Sequence, residues 1–314
     1  MNICTKIKAH LLTLPRWFAA PFFGSSVLLG AVLASGGLNH YAWLAFAACI
    51  LVMAGGHSFN SYLDYAWTGI DKGEVDDRSA EKAYTGGQNL IEKKTVSLRE
   101  VLFNALTWYA LSAIPMGFII ARQGWWIAIP WVLGMLCTFW YSKAKFTVWS
   151  HELSLGIAVG PLPVLIGMFA VSSHPPIING LLVSVPVAIV LSFMGLALDE
   201  WPDAEANLKK GVKSMAYMVW KYADNVFDDG THMVKDLNIL RWYCTSWLMF
   251  MVTYHVFLIS IGVLAPMTGI ALLVIPFIIP LFLLLKKDFY KIMGPIVAVA
   301  ALYPVILLVG QLIK

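Results

Sequence analysis

The fold is decided by residues 42–64, which read AWLAFAACILVMAGGHSFNSYLD. Residues 42–62 form a largely apolar run of about 20 residues, the length a helix needs to cross a bilayer core of ~30 Å. The stretch ends on Asn60 and Asp64, which lie four residues apart and therefore on one face of a helix. A carboxylate at the edge of a bilayer costs desolvation energy, so its presence indicates a function. The stretch predicts a membrane helix with oxygen ligands at one end.

A second acidic cluster follows another apolar stretch in the other half of the chain. Residues 177–198 run directly into Asp199 and Asp203, again four residues apart, while Asp71 extends the first cluster. If the two clusters face one another, their oxygens can hold hard divalent cations. Mg²⁺ bound by carboxylates is the usual partner of a diphosphate. The pair of clusters indicates a membrane enzyme that handles a diphosphate.

The composition of this 314-residue chain is that of a membrane protein. Its mean hydropathy is +0.73, and only 13% of its residues are charged, about half the share of a soluble domain. We expect an all-α polytopic membrane protein, a bundle of about nine transmembrane helices around a central cavity with a polar cytoplasmic cap. It forms one membrane-embedded domain over 1–314, in two pseudo-repeated halves of about 1–145 and 146–314. Hydropathy places the nine helices at about 17–35, 42–62, 101–121, 125–142, 149–171, 177–198, 240–264, 267–285 and 292–312.

Basic residues are strongly biased to one side of this nine-helix arrangement. Of the 22 lysines and arginines, only Arg122 and Lys314 fall on the other side. The positive-inside rule therefore places the N-terminus, both acidic clusters and the long loops 63–100 and 199–239 in the cytoplasm. We expect a multi-pass integral protein of the cell inner membrane with its functional site on the cytoplasmic side.

A prenyl diphosphate suits such a site, because it joins an apolar tail to a charged leaving group. Breaking its C1–O bond gives an allylic cation, and Mg²⁺ between aspartates and phosphate oxygens stabilises the charge that builds on the diphosphate. Basic side chains near the clusters are candidate helpers, and aromatic rings can shield the cation from water. The basic candidates are Arg78, Lys82, Lys93, Lys143, Lys145 and Lys213.

Three motifs together resemble the UbiA superfamily of intramembrane prenyltransferases, and the resemblance extends over nearly the whole chain. They are Asn60-xxx-Asp64-xxxxxx-Asp71, Tyr84-Thr-Gly-Gly-Gln-Asn-Leu, and Asp199-Glu-Trp-Pro-Asp203-Ala-Glu-Ala-Asn207-xxx-Gly211-x-Lys213. The same resemblance includes Pro15-Arg16, Tyr141-Ser142 and Glu152. The spacing of the first motif and the Thr-Gly-Gly element are most like the 1,4-dihydroxy-2-naphthoate, or menaquinone, branch.

This resemblance implies Mg²⁺-dependent transfer of a prenyl chain from a polyprenyl diphosphate to an aromatic acceptor, with 1,4-dihydroxy-2-naphthoate expected for this branch. It assigns catalysis and metal binding to Asp64, Asp71, Asp199 and Asp203, with Asn60 as a further metal ligand. The residues it implies for holding the magnesium-bound diphosphate are Asn60, Arg78, Lys82, Tyr141, Lys145, Asn207 and Lys213. The expected partners are the donor, the acceptor and the lipid bilayer, with no nucleic acid.

Departures from the family pattern leave the acceptor open. Asp199 stands where many members have Asn, and Asn207 stands where many have a third acidic residue. The other acceptors are 4-hydroxybenzoate, homogentisate, a glycerol ether phosphate or a chlorophyllide. A secondary transporter or ion channel is the alternative of another class, because intramembrane acids and repeated halves also mark ion pathways. Against it, the acids here lie at span ends beside long basic loops.

Overall fold

The structure of the protein is a computed structural model that describes residues 3–72, 89–147, 149–200, 210–215, 218, 232–274 and 302–313. Within these residues every regular element is a helix, which confirms the all-α prediction for this part of the chain. The α-helices are α1 (Ile3–Lys8), α2 (Ala20–Ser35), α3 (His40–Ala66), α4 (Asn89–Glu92), α5 (Leu98–Gln123), α6 (Ala128–Ala144), α7 (Ser150–Val159), α8 (Pro161–Val171), α9 (Ile177–Ala188), α10 (Gly195–Glu200), α11 (His232–Ser260) and α12 (Leu302–Leu312). Short π or 3-10 segments adjoin them at Ala9–Thr13, Trp17–Ala19, Trp125–Ile127, Ile189–Met194 and Pro266–Val274.

Among the described residues, six helical segments are long and apolar enough to cross a membrane. They are Ile3–Ser35, His40–Ala66, Leu98–Gln123, Ser150–Val171, Ile177–Leu198 and Ile239–Ser260, and each overlaps one predicted span. The predicted span 125–142 coincides with α6, which has 17 residues. Residues 275–301, which hold parts of the last two predicted spans, lie outside the described part. A polytopic α-helical protein is therefore confirmed, whereas nine helices, the central cavity, the cytoplasmic cap and the two halves of one domain stay predictions.

Local sequence fixes where the two helices beside the first acidic cluster begin. α3 begins after Asn39, whose side-chain oxygen accepts a hydrogen bond of 3.0 Å from the backbone N–H of Ala42. α5 begins after Ser97 with a capping box, in which Ser97 and Glu100 each accept a hydrogen bond from the other's backbone N–H. Such caps satisfy N–H groups that the first helical turn leaves without partners. They thereby fix the register of the polar residues that each helix presents.

Glycines bring α2 and α8 into backbone contact. A methyl group added at Gly30 would collide with the carbonyl of Val164, and one added at Gly167 would collide with the carbonyl of Val27. Small residues of this kind let membrane helices approach closely, where van der Waals packing drives their association. α8 and α2 both pack on α3, so this crossing supports the helix that carries the first acidic cluster.

Helices α5 and α11 present large apolar side chains on the outside of the bundle. These exposed residues include Phe103, Leu106, Ile114 and Phe118 in α5, and Trp242, Met249, Phe250 and Phe257 in α11. A soluble monomer rarely exposes contiguous apolar patches of this size, because they promote association in water. Lipid is the solvent that suits them, which agrees with a membrane-embedded bundle.

Contacts between helix ends gather the polar residues of α3, α6 and α10 at one end of the bundle. The last turn of α3 meets the end of α6 through Asp64 and Lys145. In the loop after α10, the backbone N–H of Lys213 donates to the carbonyl of Lys145 at 2.6 Å, and the Lys210 ammonium donates to the carbonyl of Ile70. The described part of that loop therefore lies against the first acidic cluster.

Candidate active site

The first acidic cluster is a buried ion pair held by two polar neighbours. Asp64 is fully buried in the last turn of α3, and its Oδ2 lies 2.5 Å from Nζ of Lys145, directly after α6. Asn60, one turn earlier, donates its amide N–H to Oδ2 of Asp64 at 3.0 Å and to Oγ of Ser142 at 2.8 Å. Asn60 and Ser142 are buried as well. This network between α3 and α6 fixes the position of the Asp64 carboxylate.

Asp71 lies beside Asp64 because the chain reverses direction after α3. Gly69 has a φ of 71°, a left-handed conformation that glycine adopts without steric cost. The reversal places the backbone N–H of Asp71 3.3 Å from the carbonyl oxygen of Asp64. Asp71 is only 3% exposed. Both aspartates of the first motif are therefore buried at the same end of the bundle.

Buried carboxylates determine the charge of Lys145. Burial by itself lowers the pKa of an ammonium group, because it disfavours the charged form. Around Lys145 the carboxylates of Asp64, Asp71 and Glu200 outweigh burial, so that the pKa of this lysine is raised above its ordinary value. Lys145 is thus a permanent cation at neutral pH among three carboxylates.

Two aromatic rings lie beside that cation. The Tyr141 ring centroid is 5.2 Å from Nζ of Lys145 and 4.2 Å from the ring centroid of His151. A cation near an aromatic face is attracted by the quadrupole of the ring. The same face can stabilise a carbocation, which is the species that a prenyl diphosphate forms when it ionises.

A second group of side chains that could hold a metal ion lies between α7 and α10. His151, Glu152 and Glu200 bring one ligand atom each to within 4.8 Å of one another. Nδ1 of His151 is 3.2 Å from Oε1 of Glu200, and Oε1 of Glu152 accepts a hydrogen bond from the backbone N–H of Met215. The motifs pointed to Glu152 but gave Glu200 no role. The position of Glu200 directly after Asp199 is the sequence feature from which its role could have been predicted.

A π segment widens the helix just before Asp199 and Glu200. Residues Ile189–Met194 separate α9 from α10, and the Ser192 hydroxyl in this segment donates to the carbonyl of Glu152. π segments inside helices are rare and occur frequently at functional sites. This one ties the helix that leads to the second acidic cluster to the start of α7.

The structure assembles part of the predicted site. The predicted residues that it brings together are Asn60, Asp64, Asp71, Tyr141 and Lys145. Lys213 joins them through its backbone N–H, while its side chain is exposed. The backbone of Asp199 lies in α10, and its side chain is outside the described part, as are the residues Arg78, Lys82, Asp203 and Asn207. That the two clusters share one metal site therefore stays a prediction.

The donor atoms of the first cluster fit a hard divalent cation. Asp64 and Asp71 offer carboxylate oxygens and Asn60 an amide oxygen, the ligand types that Mg²⁺ prefers. Within the described residues, Oδ1 of Asp64 is buried and has no hydrogen-bond partner. A buried carboxylate oxygen without a partner has a desolvation cost that a bound cation would offset.

Comparison with known proteins points to one family. The UbiA prenyltransferase family matches residues 23–292. The 1,4-dihydroxy-2-naphthoate octaprenyltransferase of Bacillus subtilis (strain 168) is 28% identical over 214 residues, which is 66% of this chain. The matched part spans 64% of the length of that relative.

Solved structures of UbiA homologues share the fold. The apo structure of a homologue from Aeropyrum pernix K1 has a TM-score of 0.68 at 16% identity, over 94% of this chain and 98% of that one. The structure of a homologue from Archaeoglobus fulgidus bound to DMAPP and Mg²⁺ has a TM-score of 0.60 at 13% identity, over 95% of this chain and 98% of that one. Because the family match covers residues 23–292 of 314, the chain belongs to the UbiA prenyltransferase family, a family of transferases.

Proposed function

We propose that this protein transfers a prenyl chain from a polyprenyl diphosphate to 1,4-dihydroxy-2-naphthoate, with Mg²⁺ as its cofactor. The observation that carries the proposal is the buried pair of Asp64 and Lys145 beside Asp71, in a chain of the UbiA family. Buried charges at the end of a membrane helix are costly to keep. A diphosphate with its cation uses both signs of charge, because carboxylates hold the cation and the ammonium holds the phosphate.

Each polar residue of the first cluster has a part in this proposal. Asp64, Asp71 and the Asn60 amide oxygen would hold the cation, together with Asp199 and Asp203. When bound, Mg²⁺ neutralises the charge that develops on the diphosphate as the C1–O bond breaks. The further diphosphate contacts in this proposal come from Arg78, Lys82, Tyr141, Lys145, Asn207 and Lys213.

Lys145 and Tyr141 act on the two products of ionisation. The Lys145 ammonium donates hydrogen bonds to a diphosphate oxygen, and such charge-assisted bonds are stronger than neutral ones. The Tyr141 ring, next to Lys145, faces the allylic cation and keeps water from it. The acceptor ring carbon then forms the new bond to C1 of the prenyl chain. During the overall reaction 1,4-dihydroxy-2-naphthoate loses its carboxylate as CO₂, and the electron pair of the broken C–C bond returns to the ring.

Two findings support this acceptor over the others. The Bacillus subtilis relative is named a 1,4-dihydroxy-2-naphthoate octaprenyltransferase. The spacing of Asn60, Asp64 and Asp71 resembles the same branch. A chain with these motifs would serve the biosynthesis of menaquinone.

Product analysis tests the proposal. Purified protein in detergent is incubated with labelled prenyl diphosphates of several lengths, Mg²⁺, and 1,4-dihydroxy-2-naphthoate, 4-hydroxybenzoate or homogentisate in turn. We expect a prenylated naphthalenediol that has lost the carboxylate, identified by mass. Folded protein that prenylates only another acceptor, or none, would contradict the proposal. Restored menaquinone in a host that lacks its own naphthoate prenyltransferase is the matching test in cells.

The same proposal places the site on the cytoplasmic face of the cell inner membrane. Twenty of the 22 basic residues lie on that side of the predicted topology. Single cysteines introduced at positions 76 and 230 should react with a membrane-impermeant thiol reagent only after the cells are opened. Labelling of these cysteines from outside intact cells would reverse the orientation.

A further inference from the structure

Arg16 lies in the joint between the N-terminal helical segment and α2, next to the first acidic cluster. Its Nη2 donates a hydrogen bond of 3.4 Å to Oγ of Ser61, the residue that follows Asn60. Its side chain is partly buried, and Nε is shielded from solvent without a hydrogen-bond partner in the described part of the chain. Among the described residues, no carboxylate lies within ion-pair distance of this guanidinium.

The backbone at Arg16 is held in an unusual conformation. Its φ of 52° and ψ of 58° are left-handed, which L-residues other than glycine and asparagine rarely adopt. The side chain makes no capping bond to the helix that starts at Trp17. Strained backbone persists where the surrounding structure requires it, and it clusters at ligand sites. Here it directs a cation toward α3.

His57 and Phe18 complete the surroundings of Arg16. The Ser61 hydroxyl donates to the carbonyl of His57 at 3.2 Å, and the His57 and Phe18 ring centroids are 6.3 Å apart. Nε2 of His57 is buried without a hydrogen-bond partner within the described residues. His57 and Ser61 share one face of α3, and Asn60 and Asp64 share the adjacent face. The first acidic cluster therefore has four further groups beside it: a cation, an imidazole, a hydroxyl and an aromatic ring.

We infer that Arg16, with Ser61 and His57, binds the carboxylate-bearing edge of the aromatic acceptor. A partly buried guanidinium without an acidic partner has a desolvation cost that an anionic ligand offsets. Its planar fork matches a carboxylate in two parallel hydrogen bonds. The free ring nitrogen of His57 can then bond to a ring hydroxyl. The inference rests on the proposed transfer to an aromatic acceptor and adds the subsite that selects it.

The arrangement around α3 favours the acceptor carboxylate over the donor diphosphate. Lys145 reaches Asp64 from α6, whereas Arg16 reaches Ser61 from the start of α2. The two cations therefore contact α3 from different neighbouring helices. The diphosphate has its own cation in Lys145, which leaves Arg16 for a second anion close to the reacting carbon.

Steady-state kinetics with two acceptors test this subsite. Arg16→Ala should raise the KM for 1,4-dihydroxy-2-naphthoate by about 10- to 100-fold, the loss expected for a charged hydrogen bond. The KM for 1,4-dihydroxynaphthalene, which lacks the carboxylate, and the KM for the prenyl diphosphate should stay within about threefold. Arg16→Lys should restore part of the affinity, and added guanidinium should restore more of it in Arg16→Ala. Lys8→Ala, which removes an exposed positive charge from α1, is the matched control.

Three outcomes would overturn the subsite. A raised KM for the diphosphate would assign Arg16 to the donor. Equal losses with both acceptors, together with a lower melting temperature, would assign it a structural role. A defect that changes with the anionic lipid content of vesicles would assign it to a lipid headgroup.

A binding measurement separates this inference from the proposed reaction. Quenching of tryptophan fluorescence reports binding of 1-hydroxy-2-naphthoate and of 1-naphthol without turnover. If Arg16→Ala weakens only the naphthoate, the carboxylate subsite stands even where no prenyl transfer occurs. If it weakens neither or both equally, the subsite is wrong even where prenyl transfer occurs.

Discussion

The ends of α3 and α10 carry similar acidic side chains but hold them with different interactions. At the end of α3, Asp64 forms an ion pair with Lys145 at 2.5 Å and accepts a hydrogen bond from Asn60. At the end of α10, Glu200 lies beside the imidazole of His151, and Glu152 accepts from the backbone N–H of Met215. Within the described residues Glu152 forms no ion pair.

This difference indicates that activity depends on charge at the end of α3, whereas the group of His151, Glu152 and Glu200 mainly holds the backbone in position. A lysine supplies a full charge at physiological pH, whereas a backbone N–H supplies only a dipole. We therefore expect loss of charge at the α3 end to stop the reaction. Changes in the group of His151, Glu152 and Glu200, which does not include the proposed metal ligands Asp199 and Asp203, should mainly loosen the described part of the loop after α10. Four experiments test this contrast.

Metal removal should have the largest effect, because it acts on both acidic clusters. Excess EDTA should reduce prenyl transfer to background, and added Mg²⁺ should restore it. The measurement is product formation before and after chelation, with circular dichroism to show that the helices persist. Full activity in EDTA would exclude a metal-dependent reaction at these aspartates.

Replacement of Asp64 should have the second largest effect on activity. Asp64→Ala removes a proposed metal ligand and the ion-pair partner of Lys145, so we expect kcat/KM to fall by roughly 1000-fold. Glu100→Gln is the matched control, since Glu100 is a partly exposed acid paired with Lys6 outside this site. It should keep activity within about twofold. An active Asp64→Ala protein would remove the first cluster from the mechanism.

Replacement of Lys145 tests the ion pair itself. Lys145→Ala leaves the buried Asp64 and Asp71 without their lysine, a change that costs about 3 kcal/mol of stability for buried pairs. We expect a lower melting temperature in detergent and about 100-fold lower activity. Because Mg²⁺ can take over the missing charge, it should raise the melting temperature more in this variant than in the wild type. Equal stabilisation of both proteins would mean that Lys145 and the metal do not share these carboxylates.

Replacement of Glu152 should have the smallest effect. Glu152→Gln keeps an oxygen that can accept from the N–H of Met215, so its activity should stay within about threefold of the wild type. Glu152→Ala removes that acceptor and should cost about 1 kcal/mol of stability and about tenfold in activity. Limited proteolysis of the loop after α10 should detect the loosening. A Glu152→Gln variant as inactive as Asp64→Ala would show that the group of His151, Glu152 and Glu200 also depends on charge.

The sequence predicted the helical, membrane-spanning class and the cluster of Asn60, Asp64 and Asp71. These features depend on hydropathy and on spacing within one segment, which a chain shows before it folds. Arg16 and Glu200 stand in sequence motifs, as Pro15-Arg16 and directly after Asp199, but their contacts could not be predicted in the same way. Each makes its contact with a residue on another helix.

The kind of protein therefore follows from the sequence alone, whereas the face of the membrane on which the site lies stays a prediction from the basic residues. Apolar runs of membrane length, the bias of basic residues and the paired acidic clusters are properties of composition along the chain. The contacts between residues far apart in the sequence depend on the tertiary structure. Lys145 meets Asp64 across 81 residues, and Arg16 meets Ser61 across 45. These contacts depend on where helices cross, and the crossings depend on how closely small residues such as Gly30 and Gly167 let backbones approach.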